Sequence, residues 1–168
     1  MIIRKALDYE YELIKKQRLA SYEPYSEIIP EGHWNILKNT LTSENAKQSG
    51  AEIFVSEIDG AIAGSVVLFP SKSKAYEWDS EALEYPEIRM LAVGGDFRSK
   101  GIGKALVQHC AAIARKEGNS HIGLHTAHFM ENAMHLYKRL GFSRVPSLDF
   151  EPLDDGIVVK AFRLDLTP

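Results

Sequence analysis

The chain opens on "MIIRKAL", where apolar and polar positions alternate closely enough to predict a short first strand. From Tyr9 to about Ser21 the period lengthens: Tyr11, Leu13, Ile14 and Leu19 recur at helical spacing and predict a helix. "SYEPYSEIIPEG" is broken by two prolines and predicts a loop. A second helix is expected from about Glu31 to Lys47, with Trp34, Ile36, Leu37 and Leu41 as its apolar stripe. "AEIFVSEIDGAIAGSVVLFP" then predicts a hairpin. Its turn is Asp59-Gly60, a dipeptide that tolerates the positive φ angles of a tight connection. "SKSKAYEWDSEALEY" is polar and predicts a long loop, and "PEIRMLAV" the next strand. After the turn "GGDFRSKG" a helix is expected to about Lys116, with Ile102, Ala105, Leu106, Cys110 and Ile113 on one face and Gly118 closing it. "HIGLHTA" predicts a strand. "ENAMHLYKRLGF" predicts a helix with Ala133, Leu136, Tyr137 and Leu140 on its stripe and Gly141 at its end. "FSRVPSLDF" and "GIVVKAFRLDL", joined by "EPLDDG", predict two last strands. The order β-α-α-β-β-β-α-β-α-β-β places the chain in the α/β or α+β class, around a mixed sheet.

Composition narrows the class. With 168 residues, the chain is expected to form one domain over residues 1–168. Apolar residues make up 45% and charged residues 26%, as in soluble globular proteins. The formal net charge of −3 argues against a nucleic-acid partner, which a basic stripe would advertise. Cys110 is the only cysteine, so no intrachain disulfide and no cysteine-based zinc site can form. The N-terminus turns charged within four residues and carries no signal-peptide core, and no run of eighteen apolar residues suggests a membrane span. A cytoplasmic location is the expectation.

The candidate chemistry starts at "FRSKGIGKAL", residues 97–106. Here a strand feeds a glycine turn that opens a helix. The first backbone N–H groups of a helix lack intrahelical partners, and the helix dipole adds partial positive charge there. Gly101 and Gly103 let the backbone approach a phosphate, while Arg98 and Lys104 add charge. Any helix after a tight turn also accommodates glycine and basic residues, so the pattern alone leaves both readings open. No Gly-Lys-Ser/Thr closes the turn as in a P-loop, and "GGDFRSKGIG" is not the dinucleotide fingerprint G-x-G-x-x-G.

Arg98-Ser99-Lys100-Gly101-Ile102-Gly103 resembles the R/Q-x-x-G-x-G/A motif of the GNAT superfamily of acetyl-CoA-dependent N-acetyltransferases. "EIRMLAV" looks like that family's fourth strand. "ENAMHLYKRLGF" is similar to its helix bearing an asparagine, a Leu-Tyr pair and a closing Gly-Phe. The resemblance runs from Glu87 to Phe142. It implies a mixed, mostly antiparallel central sheet of about seven strands flanked by about four helices, with the fourth and fifth strands splayed. It also implies acetyl-CoA as co-substrate, its pantetheine arm against Leu91, Ala92 and Val93. The pyrophosphate would lie on the backbone of Arg98, Ser99, Lys100, Gly101, Ile102, Gly103 and Lys104, with Asn132 reaching the cofactor from the next helix. Two positions depart from the pattern. Gly94-Gly95 stands where many members have a residue followed by proline, and Ser99 where glycine is common.

The implied reaction transfers acetyl to a primary amine of a small molecule or peptide by direct attack in a ternary complex. A non-catalytic acyl-CoA-binding or regulatory module on the same fold is the alternative. Transfer needs an unprotonated amine, donors for the developing oxyanion and a proton for the leaving thiolate. Backbone amides near Leu91, Ala92 and Val93 are the expected oxyanion donors. The resemblance places Tyr137 near the thioester sulfur as acid, and it places Glu87 at a strand start where several members carry a glutamate base. Tyr137 could instead simply pack, and Glu87 could be a surface glutamate. Glu84 and His125 are reserves for the base. His121, His125 and His128 lack a carboxylate ligand pattern, so no metal is expected. Cys110, on a helix stripe, is expected to be a buried inert thiol. Glu77, Asp79, Glu81 and Glu84 around Trp78 form a solvated acidic loop or a steering surface for a cationic amine. No membrane partner is expected, and a homodimer is a reasonable assembly.

Overall fold

A computed structural model of the protein describes residues 1–44, 50–72 and 83–168. The strands are β1 (Ile2–Lys5), β2 (Glu52–Ile58), β3 (Ala61–Phe69), β4 (Glu87–Val93), β5 (His121–Ala127), β6 (Ser143–Arg144) and β7 (Val159–Asp165). The helices among the described residues are α1 (Tyr11–Tyr22), α2 (Glu31–Thr42), α3 (Ile102–Lys116) and α4 (Glu131–Arg139). The seven strands form one sheet in the order β1-β2-β3-β4-β5-β7-β6. Four pairings, β1–β2, β2–β3, β5–β7 and β6–β7, are antiparallel, and β4–β5 is parallel. This is the mixed sheet that the order of elements predicts. The hairpin turns where expected, with Asp59 at φ 50° and Gly60 at φ 81°.

The chain divides into two compact units. One comprises Met1–Leu68 and Met90–His109, the other Phe69–Arg89 and Cys110–Pro168. In the first unit α1 buries Tyr11, Ile14, Arg18 and Tyr22. Leu13, expected on the stripe, is 55% exposed, because the buried face runs through positions 11, 14, 18 and 22. Arg18 is fully buried and donates from Nη1 to the Leu41 carbonyl, 3.3 Å away in the last turn of α2. Cations suit that end of a helix, although burial pushes the guanidinium down from its ordinary value. In α2 only His33 and Leu41 are buried, while Ile36 is exposed and Trp34 and Leu37 are half-buried. The helix ends at Thr42, short of the expected Lys47, and residues 45–47 lie outside the described residues. The loop expected after α1 instead contains a 3-10 turn, Glu23–Glu27, with its proline in the first turn, where a missing N–H costs nothing.

In the second unit the strand expected across "FSRVPSLDF" shortens to β6. Pro146 cannot donate to a ladder and starts a 3-10 turn, Pro146–Leu148. Pairing resumes only as the isolated bridge Phe150↔Val159. Arg144 holds this turn, its Nη1 donating to Asp149 Oδ1 at 2.8 Å and to the Ala161 carbonyl at 2.8 Å. The guanidinium keeps the Asp149 carboxyl below the usual carboxylate range.

Candidate active site

The first unit holds the strand–turn–helix segment. The last residues of β4 lead through Gly94 and a 3-10 turn, Gly95–Phe97, to residues 98–101 and then to α3. Ser99 adopts φ 63° and Gly101 φ 76°, both left-handed. A Cβ built on Gly101 meets nothing within 4 Å, so open space adjoins the backbone there. Ala105 N–H donates to the Gly101 carbonyl at 3.0 Å and begins the helical ladder. The N–H groups of Ile102, Gly103 and Lys104 therefore precede the first intrahelical bond. Arg98, Ser99, Lys100 and Lys104 are exposed, while Ile102 is buried and anchors the turn. Open backbone, helix start and three exposed cations fit a diphosphate group.

The strand before this turn is irregular. Register pairs between β4 and β5 are Glu87↔Gly123 and Ile88↔Leu124, the short parallel junction expected of splayed strands. Met90 then takes φ 55° inside β4, which breaks the alternation of a regular strand. Beyond it, Tyr22 Oη donates to the Leu91 carbonyl at 3.1 Å and Ser21 Oγ to the Val93 carbonyl at 3.0 Å. These backbone acceptors are thus engaged by α1. Tyr25 follows in the same segment. Burial pushes its phenol up, and the nearby Arg98 guanidinium pulls the other way. Ser21, Tyr22 and Tyr25 went unnoticed in the sequence because no motif marks them; their helical phase relative to Tyr11 and Ile14 was the only signal.

The second unit carries the titratable candidates. Glu87 is 2% exposed, which excludes the surface-glutamate reading. Its Oε1 lies 2.9 Å from His125 Nδ1, both side chains being 3% exposed. His125 Nε2 lies 3.2 Å from the Leu148 carbonyl. The expected base and one of its reserves are therefore a bonded pair, and the third candidate, Glu84, is exposed. The Tyr85 ring lies 5.9 Å from that of His121, tilted by 48°, and burial pushes its phenol up. Tyr137 is 6% exposed on α4, its ring 5.8 Å from that of Phe142 and 6.4 Å from that of Phe162. Asn132 is exposed in the first turn of the same helix. Cys110 is a buried thiol outside any disulfide. Glu77, Trp78, Asp79 and Glu81 lie outside the described residues. Among the described residues no cluster of metal-ligating side chains occurs, and no helix is long and apolar enough to cross a membrane.

Residues 11–142 match the acetyltransferase (GNAT) family. Human N-acetyltransferase 8B is 29% identical over 106 residues, covering 62% of this chain and 44% of that protein. Streptothricin acetyltransferase of Streptomyces lavendulae is 38% identical over 56 residues, covering 33% of this chain and 30% of that protein. The chain thus spans less than half the length of these curated relatives. Among solved structures, an acetyltransferase of the GNAT family from Staphylococcus aureus Mu50 superposes with a TM-score of 0.71 at 18% identity, covering 99% of both chains. YncA of Salmonella typhimurium, solved with acetyl-CoA, gives 0.65 at 16% identity, covering 100% of this chain and 95% of its own. At these identities the likeness is one of fold.

Proposed function

The chain belongs to the GNAT acetyltransferase family, and on that premise we propose that it transfers the acetyl group of acetyl-CoA to a primary amine of a small molecule or peptide. The observation that carries this reading is the open turn at residues 98–104, with its two left-handed residues, its exposed cations and its helix start. Arg98, Ser99, Lys100, Gly101, Ile102, Gly103 and Lys104 would hold the diphosphate, and Asn132 would add a polar contact to the cofactor. Leu91, Ala92 and Val93 would meet the pantetheine arm. With the Leu91 and Val93 carbonyls already bonded to α1, the amides of this stretch are the groups we assign to the developing oxyanion.

An alkyl ammonium must lose a proton before it attacks, since its ordinary pKa is about 10. Glu87 is the base in this reading and Tyr137 the acid that protonates the leaving sulfur. No acyl-enzyme is invoked: Cys110 is the only thiol and it is buried. The amine attacks the thioester directly in a ternary complex. Acetyl-CoA turnover, followed by release of free thiol against L-lysine, spermidine, a peptide with a free N-terminus and a streptothricin-type amine, tests the proposal. Turnover with one acceptor establishes the activity and the acceptor type. CoA binding with no turnover on any of them favours the binding-module alternative, and absence of CoA binding overturns the site.

A further inference from the structure

We propose that His125 is a positioning residue for this transfer: it holds Glu87 by Oε1 and leaves Oε2 as the oxygen that takes the acceptor's proton. The inference rests on the acetyltransfer reading above and assigns His125 a task other than that of a base.

The geometry constrains the protons. Leu148 O can only accept, so His125 Nε2, 3.2 Å away, carries a hydrogen. Nδ1 then faces Glu87 Oε1 at 2.9 Å. Two bare lone pairs do not rest at that distance between side chains each 3% exposed, so one proton lies between them and belongs to the pair. The imidazole cannot turn without losing both partners. It is also held edge-on by the Phe150 ring at 5.4 Å. Strand β5 supplies the histidine, β4 the carboxylate, and the turn after β6 the carbonyl that fixes the tautomer.

Glu87 Oε2 is the loose end. It is buried and has no hydrogen-bond partner among the described residues. A buried carboxylate oxygen left unmet costs stability and calls for a partner. A group that arrives with the substrate supplies the partner. The N–H bond of the ammonium breaks and an O–H bond forms at Oε2. The freed lone pair makes the new C–N bond, the C–S bond breaks, and the sulfur takes the Tyr137 proton. The second N–H proton of the new amide nitrogen returns to the Tyr137 phenolate, and the proton on Glu87 passes to water after the products leave.

The other charged or titratable groups near the pair are Asp149, whose carboxyl is held low by Arg144 and to a lesser degree by His125, and Tyr85, with Arg163 and His121 beside it. Arg89 lies two residues along β4, with its guanidinium over the Phe69 ring.

A double-mutant cycle tests the role. Glu87→Gln should lower kcat about 100-fold, the range for removing a general base. His125→Leu should lower kcat nearly as far and leave the acetyl-CoA KM within about twofold. In the Glu87→Gln background His125→Leu should add less than about threefold, because its effect passes through Glu87. His125→Asn, which keeps a donor toward Oε1, should recover about tenfold over His125→Leu. An undiminished loss in the Glu87→Gln background, or no loss in the wild-type one, overturns the proposal. A proton NMR readout needs neither turnover nor a folded His125→Leu chain. The shared proton should give a far-downfield resonance that Glu87→Gln abolishes, and its persistence in that variant overturns the pairing. Wild-type protein that turns over no acceptor would remove the acetyltransfer reading and this role with it, while the resonance would still report the pair.

Discussion

Ser99 holds φ 63° at a position where side chains other than glycine are strained. Ser99→Gly should relieve that strain and raise stability by about 0.5–1 kcal/mol, after the entropy cost of glycine in the unfolded chain is deducted. The urea midpoint measures it, and CoA affinity should stay within about twofold, since every N–H of the turn is retained. At Tyr137 the expectation is a split. Tyr137→Phe keeps the ring contacts with Phe142 and Phe162 and removes only the hydroxyl. It should lower kcat by about 10- to 100-fold with little change in acetyl-CoA affinity. Equal turnover in that variant would remove Tyr137 as the acid.

At the scale of elements, the connection from β4 to α3 can be stiffened. Gly94 sits at φ −60°, ψ 144°, the extended geometry that a following proline demands. Gly95 begins the 3-10 turn, and a Cβ there meets nothing within 4 Å. Gly95→Pro should therefore raise stability by about 0.5–1 kcal/mol in thermal or urea unfolding. A loss instead would mean that the Gly95 N–H has a needed partner. The elements themselves were largely legible in the sequence, because burial imposes the periods that α3, β5 and the β2–β3 hairpin display. Their faces were less so. α1 turns a buried arginine inward where apolar periodicity points to Leu13, and α2 leaves Ile36 exposed. The glycine turn before α3 was legible because its pattern is local, a few residues in a row. The Glu87–His125 contact was not. It joins residues 38 apart through the β4–β5 register and the turn that delivers Leu148, and neither is written locally.

At the scale of the whole molecule, neither unit is a contiguous stretch of chain, and the crossings at Leu68/Phe69, Arg89/Met90 and His109/Cys110 fall inside β3, β4 and α3. A fragment ending at His109 should show no cooperative unfolding transition, since it omits half of α3 and the strands after it. A sharp transition in that fragment would establish an independent folding unit. The acid response follows from Glu10 and Asp149, each held below its ordinary value chiefly by a hydrogen-bonded arginine, Arg4 and Arg144 respectively. For carboxyls lowered in the folded state, the stabilisation is fully present above the unfolded value of about 4 and is lost as pH falls through the folded one. Urea midpoints should be flat near pH 6 and drop below about pH 4. Asp149→Asn should cost about 1 kcal/mol at neutral pH and make the acid drop shallower. The burial of Cys110, finally, sets the background of the thiol assay itself. With no other cysteine in the chain, a colorimetric thiol reagent should count released CoA against a silent protein. The same reagent added in urea should count one sulfur per chain and so time the opening of α3.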